Sequence, residues 1–194
     1  MAVVSIKNKL RRGNLLVGND AYDPGGFVPI ATTTVGSGGS SSITFSSIPS
    51  TYTHLQIRAM ATVTSTGSGC YMDMRFNSDS GSNYSDHGMS GDGSSVTSYG
   101  SANSNAVNFF QRVNNMSTTA PSVCVIDILD YANTNKYKTV RNLQGNDRNG
   151  SGELTFRSGS WRNTNAISSI SIAFGGSYTL AQGSSFTLYG IKSA

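Results

Sequence analysis

Charged side chains are scarce in this chain of 194 residues, where Lys and Arg together number 14 and Asp and Glu together number 10. Glu153 is the only glutamate, and His54 and His87 are the only histidines. Acid–base catalysis and transition-metal binding draw mainly on these side chains, so the composition predicts neither an enzyme nor a bound metal or cofactor. Paired carboxylates for glycoside hydrolysis stay open here, because such residues meet only in the folded chain.

Long apolar runs are also missing from the sequence. No run reaches the roughly 18 apolar residues that indicate a membrane-spanning helix. The apolar stretch Leu15–Val17 ends at Gly18, which makes it too short for the hydrophobic region of an export signal. The chain is therefore expected to contact no membrane and to have no signal peptide.

Cysteine occurs only at Cys70 and Cys124, a number that does not indicate a disulfide-rich framework. Cys124 lies in the apolar run "SVCVIDIL", where a thiol behaves as a small hydrophobic side chain. Two reduced thiols are the favoured interpretation, and a Cys70–Cys124 bridge stays open.

The excess positive charge lies in the opening stretch "SIKNKLRRGNLLVGN", residues 5–19. Without the four bases of this stretch, the chain keeps ten basic and ten acidic residues, so its body is formally neutral and predicts no nucleic-acid partner. We interpret the stretch as an arm that docks on an acidic neighbouring subunit. Its docking residues are the four bases and one apolar patch: Lys7, Lys9, Arg11, Arg12, Leu15, Leu16 and Val17.

Hydrophobic residues recur at alternate positions in many short segments, among them "HLQIRAMATV", "YMDMRF", "ELTFRS", "SSISIAF" and "SFTLYGI". This is the period of a half-buried strand, and it places Leu154 and Phe156 in the apolar phase of "ELTFRS". The segments "NAVNFFQRV" and "SVCVIDILDY" alternate less strictly and are interpreted as strands buried on both faces. About eight strands are expected after residue 30.

Segments rich in Gly, Ser and Asn separate these strands and predict turns and loops. No segment has a long apolar stripe at helical spacing. We therefore expect an all-β fold, an antiparallel β-sandwich of jelly-roll-like form, over residues 31–194. Residues 1–30, with Pro24 and Pro29, would form an extended basic N-terminal arm.

The segment "NSDSGSNYSDHGMSGDG" is predicted as one loop, and Asp79, Asp86, His87 and Asp92 are its candidate metal ligands. Their spacing differs from that of an EF-hand loop, and no glutamate closes the series. No metal site is predicted, although a metal in this loop stays a hypothesis.

Aromatic residues in neutral, hydroxyl-rich surroundings are candidate contacts for a glycan, since a ring offers an apolar face beside hydrogen-bonding neighbours. The candidates are Tyr84, Tyr99, Trp161 and Tyr178. The competing interpretation is that these rings close the core or lie in subunit contacts.

Three stretches carry a family resemblance: "SIKNKLRRGNLLVGN", "VIDILDYANTNKYKTVRNLQG" and the ending "AISSISIAFGGSYTLAQGSSFTLYGIKSA". Together they resemble a group of small virion proteins of tailed bacteriophages, especially phages of marine and cyanobacterial hosts, whose chains close on a strand similar to "FTLYGI". The closing motif recurs in head decoration proteins and in tail-fibre or tail-tip proteins, so both components stay open.

The resemblance implies a non-enzymatic β-sandwich that is assembled in the host cytoplasm and exposed on the virion. Its partners would be capsid or tail subunits, and it would form a homo-oligomer such as a trimer. Phe186 and Leu188 of the closing strand are expected inside. Because the chain encodes no long stalk, a capsid decoration or cement-like protein is favoured. The alternative is a tail-fibre or tail-tip component that binds host-surface glycan.

Overall fold

Twelve strands and no helix make up the part of the chain that the computed structural model describes, residues 26–65, 71–110, 117–174, 176 and 178–192. The prediction of an all-β fold is confirmed. The strands are β1 (Phe27–Thr34), β2 (Ser42–Phe45), β3 (His54–Ala61), β4 (Met72–Phe76), β5 (Tyr84–Gly91), β6 (Val96–Ser104), β7 (Val107–Phe110), β8 (Ser122–Leu129), β9 (Lys138–Asp147), β10 (Gly152–Trp161), β11 (Ile170–Phe174) and β12 (Ser185–Ile191).

The strands form two antiparallel sheets. The large sheet has eight strands in the order β1-β12-β3-β8-β9-β10-β5-β6, and the small sheet has four in the order β2-β11-β4-β7. Hydrophobic side chains from both sheets meet in one shared core, which gives the fold its sandwich-like form.

The small sheet follows the alternation that its sequence predicts. Met72, Met74 and Phe76 of β4 are fully buried, whereas Asp73 and Arg75 between them point away from the core. Each large apolar side chain that is fully buried in this way contributes about 1.5–3 kcal/mol to stability.

The large sheet supplies the opposite side of this core from β3, β8 and β12. The inward side chains are Leu55, Ile57, Ala59, Cys124, Ile126, Ile128, Phe186 and Leu188. The prediction that Phe186 and Leu188 lie inside is confirmed, and Cys124 is a buried free thiol. Cys70 lies outside the described residues.

Three aromatic rings close the core at one end of the sandwich. The ring centroid of Trp161, at the end of β10, lies 5.5 Å from that of Phe76 and 6.3 Å from that of Tyr84. Asp79, in the turn before β5, accepts a hydrogen bond from Trp161 Nε1 at 2.8 Å, and its backbone carbonyl accepts one from the Tyr84 hydroxyl at 3.0 Å. Both polar atoms of the cluster are thus satisfied, which allows the rings to be buried.

Lys138, the first residue of β9, is fully buried beneath the β8–β9 connection. Its ammonium group donates hydrogen bonds to the backbone carbonyls of Asn133, Lys136 and Thr164. Burial lowers the pKa of this ammonium group, because desolvation disfavours the charged form. The three carbonyls replace lost hydration and tie the connection to the segment after β10.

The structure corrects two parts of the sequence interpretation. Residues 27–30, which the sequence interpretation places in the arm, form the first half of β1, and Phe27, Val28 and Pro29 pair with β12. Residues 1–25 lie outside the described residues. β5 and β6 run through "NSDSGSNYSDHGMSGDG" and the segment after it, so the prediction of one long loop is wrong. These strands are rich in Gly and Ser, and pairing with β10 along the whole of β5 outweighs their low strand propensity.

Candidate assembly surface

Strand β10 is turned the opposite way from the other apolar strands. Its alternation predicts Leu154 and Phe156 on the buried face, but these residues are 61% and 51% exposed, and Thr155 and Arg157 are buried instead. The predicted phase of this strand is therefore wrong.

The backbone of β7 supplies the physical reason. One edge of β7 pairs with β4, and carbonyl groups of the strand meet the inner face of β9 and β10. Arg157 donates a hydrogen bond to the carbonyl of Asn108, and Asn142 Nδ2 donates one to the carbonyl of Phe109 at 2.6 Å. A buried carbonyl left without a donor costs about 1–3 kcal/mol, so polar side chains are favoured on this part of the inner face.

An ion pair and an aromatic ring hold the buried guanidinium group. Arg157 Nη1 lies 3.4 Å from Asp86 Oδ1 of β5, and both side chains are almost completely buried. The ring of Tyr99 covers the guanidinium group at 4.5 Å. This close approach requires Gly88, since a Cβ atom there would lie 2.5 Å from the Tyr99 ring. Five buried polar residues lie on the inner face of β5, β9 and β10, and we call them the inner polar cluster: Asp86, Asn142, Gln144, Thr155 and Arg157.

The reversed strand contributes to an apolar area on the solvent side of the large sheet, which we call the outer apolar surface. It consists of eight exposed hydrophobic residues on six adjacent strands: Met60, Met89, Val96, Val123, Val125, Leu143, Leu154 and Phe156. Strand register places four of them in one continuous row: Val125, Leu143, Phe156 and Met89. The adjacent row is Met60, Val123, Gly145, Leu154, Gly91 and Val96.

The size of this surface separates it from ordinary scattered exposure. With strands about 4.8 Å apart and alternate residues about 6.8 Å apart, the ten apolar or glycine positions of the two rows project to roughly 300 Å² before side-chain relief is counted. Apolar patches of about 300–600 Å² are the largest that typical monomers expose, and they are often functional. The outer apolar surface is in that class.

Charged residues flank the outer apolar surface at both ends of its strands. The next row on one side contains Asp127 and Arg141. Asp92 follows β5 and Asp147 ends β9 on the other side. The Asp92 carboxylate accepts hydrogen bonds from the backbone N–H groups of Ser95 at 2.7 Å and Ser94 at 2.9 Å, which lower its pKa and keep it ionised.

Strand β8 contains the sequence signal that points to this surface. It is apolar on both faces, as "SVCVIDIL" indicates, with Cys124 and Ile126 in the core and Val123 and Val125 on the solvent side. A strand expected to be buried on both faces is covered on only one by the described residues. Met89, Val96 and Leu143 give no comparable signal, because each stands alone in a polar segment.

The sequence-predicted glycan contacts separate into two groups. Tyr84 and Trp161 are 0% and 1% exposed in the aromatic cluster, so the prediction that they contact a surface ligand is wrong, and the competing interpretation that they close the core applies. Tyr99 is half-buried over Arg157, and Tyr178 is half-buried at 6.3 Å from Phe174. For these two residues glycan contact stays a prediction. The docking residues of the arm, Lys7 to Val17, lie outside the described residues.

The residues of the metal hypothesis point to different partners. Asp79 binds Trp161, Asp86 pairs with Arg157, and Asp92 caps its own turn. His87 is exposed on β5. Within the described ranges, no group of three His, Cys, Asp or Glu residues is placed to hold a metal ion. That part of the chain also contains no helix that could cross a membrane.

Comparison of the chain with protein-family models, curated proteins and solved structures finds no match.

Proposed function

We propose that the chain is a non-enzymatic structural protein of a tailed-phage virion, of the capsid decoration or cement type. It assembles with copies of itself through the outer apolar surface and docks on the particle through its basic N-terminal arm. The observation that carries this proposal is the row formed by Val125, Leu143, Phe156 and Met89, because such a row is costly to leave in water. The low charge and the sandwich-like all-β fold support the proposal.

A second copy of the chain fits the outer apolar surface by area. Adding the flanking charged row and the turns at the opposite end roughly doubles the projected area, to about 600 Å². Side-chain relief brings this close to the ~800 Å² per partner of a standard stable interface.

Charge complementarity also favours a second copy. A two-fold axis that runs across the strands between the two apolar rows would place each strand over its own equivalent. Asp147 of one copy would then face Arg141 of the other, since these two residues lie toward opposite ends of β9. Such self-complementarity is what an isologous interface requires.

The test is the mass of the full chain in solution by sedimentation equilibrium. We expect a dimer at micromolar concentration, and we expect Phe156→Glu to be monomeric because one central anchor contributes about 2–4 kcal/mol. Tyr137→Glu is the matched control, since Tyr137 is 56% exposed outside the surface. A monomeric wild type, a trimer, or a dimer unaffected by Phe156→Glu would overturn the two-fold assembly.

The arm is tested separately by deleting residues 1–20. We expect the shortened chain to keep its melting transition and its dimer but to lose binding to particles that lack the protein. The physical reason is that the body is formally neutral, whereas the arm carries the net positive charge. Unchanged binding to particles would show that the arm is not the anchor.

A tail-fibre or tail-tip component that binds host-surface glycan is the second candidate. It is favoured by a cleft that is lined mainly by polar side chains and one tyrosine and that shares no residue with the outer apolar surface.

A further inference from the structure

A polar cleft lies beside the β6–β7 turn, where the edge strands of the two sheets come together. We call it the β6–β7 cleft. Its volume of about 510 Å³ is within the range of pockets that hold small ligands. Its principal lining residues are Tyr71, Asp73, Ser82, Asn103, Asn105 and Asn108.

Two arginines fix the polar groups of this cleft. Arg75 Nη2 lies 3.3 Å from Asp73 Oδ2, and the same side chain donates hydrogen bonds to the backbone and side-chain oxygens of Asn105. Arg162 Nη2 donates to Asn103 Oδ1 and to the Ser82 carbonyl, both at 2.7 Å. These contacts orient the lining residues before any ligand arrives, which lowers the entropy cost of binding.

The same contacts leave a defined set of groups for a ligand. Because the side-chain oxygens of Asn103 and Asn105 are occupied by arginines, their Nδ2 groups remain as donors, and no described residue accepts a hydrogen bond from them. Asp73 Oδ1 remains as an acceptor beside them. Burial raises the pKa of the Asp73 carboxyl group more than Arg75 lowers it, so this group lacks part of its normal hydration.

The backbone is irregular where the cleft forms. The β5–β6 register shifts between Tyr84 and Asp86, and Asn103 has a φ of 55°, in the left-handed region that costs a non-glycine residue energy. Bulges of this kind redirect side chains and are frequent next to binding sites. Here the irregular segment brings Asn103 and Asn105 to the same cleft as Asp73.

We propose that the β6–β7 cleft binds a neutral saccharide. Asp73 accepts hydrogen bonds from two ring hydroxyls, Asn103 and Asn105 donate to hydroxyl or acetamido oxygens, and the ring of Tyr71 packs against the C–H face of the sugar. Tyr71 is available for this contact, since it is 39% exposed. A neutral sugar is favoured because its hydroxyl groups can donate to Asp73 Oδ1, whereas a sugar carboxylate offers only acceptors there.

The β6–β7 cleft shares no lining residue with the outer apolar surface, so saccharide binding there goes beyond the assembly role. The proposed binding also involves no cleavage. Asp73 is the single carboxylate among the described lining residues, whereas most glycoside hydrolases require two.

The first measurement applies the full-length chain to a printed array of neutral and acidic glycans. We expect binding to neutral glycans that present adjacent hydroxyls, and the strongest of these is then titrated by calorimetry. Tyr71→Ala is expected to weaken binding about tenfold, the effect of one lost aromatic contact. The matched control Tyr137→Ala, at a more exposed tyrosine far from the cleft in sequence, is expected to leave binding unchanged.

Two further variants keep the test decisive. Asp73→Asn and Asn105→Ala should each weaken binding at least as much as Tyr71→Ala, and thermal melts establish that they fold. Phe156→Glu should bind the glycan as the wild type does, which separates this inference from the assembly proposal. No neutral glycan bound, preference for acidic glycans, or equal binding by Tyr71→Ala and wild type would each overturn the inference.

Discussion

The inner face of the large sheet has two halves that pair in the same way but differ in how much polar surface they bury. The half formed by β12, β3 and β8 buries aliphatic side chains, and the half formed by β9, β10, β5 and β6 buries the inner polar cluster. One row of register crosses both halves and shows the change: Leu188, Ile57, Ile126, Asn142, Arg157, Gly88 and Tyr99.

The difference follows from what covers each half. The apolar half lies under inward side chains of the small sheet, such as Ile172 and Met74. The polar half meets the backbone of β7, whose carbonyls take donors from Arg157 and Asn142. Because a strand has only two faces, turning polar residues inward on β10 turns Leu154 and Phe156 outward. The outer apolar surface is therefore a direct consequence of how the polar half is covered.

Of the changes considered for the two halves, substitution of Arg157 is expected to cause the largest loss of stability. Arg157→Ala would leave the Asp86 carboxylate buried without its ion-pair partner and the Asn108 carbonyl without its donor. We expect a loss of about 3–5 kcal/mol in the free energy of unfolding, measured by urea denaturation of the monomeric Phe156→Glu background.

The double variant Arg157→Met with Asp86→Leu is the control for this prediction, since it removes both charges and keeps most of the buried volume. It should recover part of the lost stability. A loss below about 1 kcal/mol for Arg157→Ala would mean that the buried ion pair does not hold the polar half together.

Adjacent residues of β8 test the apolar half. Ile126→Ala removes an inward side chain and should cost about 2–4 kcal/mol, because it leaves a cavity in the core. Val125→Ala removes an outward side chain that is 37% exposed, and it should cost less than about 1 kcal/mol in the monomer. In dilution experiments, however, Val125→Ala should weaken self-association and Ile126→Ala should not. Equal effects on association would contradict the assignment of the two faces.

The contribution of Asp79 to the free energy of unfolding is expected to depend on pH. This residue holds the aromatic cluster through its bonds to Trp161 and Tyr84. The hydrogen bond from Trp161 is the main cause of a lowered pKa at this carboxyl group. A lowered pKa means that the stabilisation is present above the unfolded value of about 4 and is lost as the pH falls through the folded value. Asp79→Asn should therefore cost about 1–2 kcal/mol at pH 7 and less at pH 3, by chemical denaturation at each pH. A difference that does not change with pH would contradict the role of the charge.

The smallest effect is expected from Cys124, which reports on the opening of the apolar half. Burial raises the pKa of its thiol to about 12, so almost no thiolate exists at pH 8. In a Cys70→Ser background, a thiol reagent should label Cys124 only as fast as the chain unfolds globally. Labelling much faster than unfolding would show that the apolar half opens locally.

The eight strands predicted from alternation all exist, because side chains covered by other side chains leave a period of two in the sequence. β1, β5, β6 and β9 were not predicted. β5 and β6 are polar on both faces apart from single residues such as Met89, and they are ordered by pairing with β10, which local sequence does not encode.

The candidate surfaces could be predicted only in part. The apolar phase of Leu154 and Phe156 was visible in the sequence, but its direction depends on the backbone of β7, which alternation cannot detect. Asp73, Asn103 and Asn105 come from separate segments and meet only through a register shift, so no motif identifies them. The prediction that Trp161 binds a glycan was wrong because the Asp79 side chain that satisfies its indole is supplied by a turn 82 positions earlier.

Lys138 holds the β8–β9 connection together around a buried positive charge, as a bound metal ion holds the loop that ligates it. A positive charge surrounded by the carbonyls of Asn133, Lys136 and Thr164 resembles a coordination sphere, with the ammonium group in the place of the ion. Because this cation is part of the polypeptide, it does not dissociate when the protein is diluted. Chelators and changes in divalent ion concentration should therefore leave the connection intact.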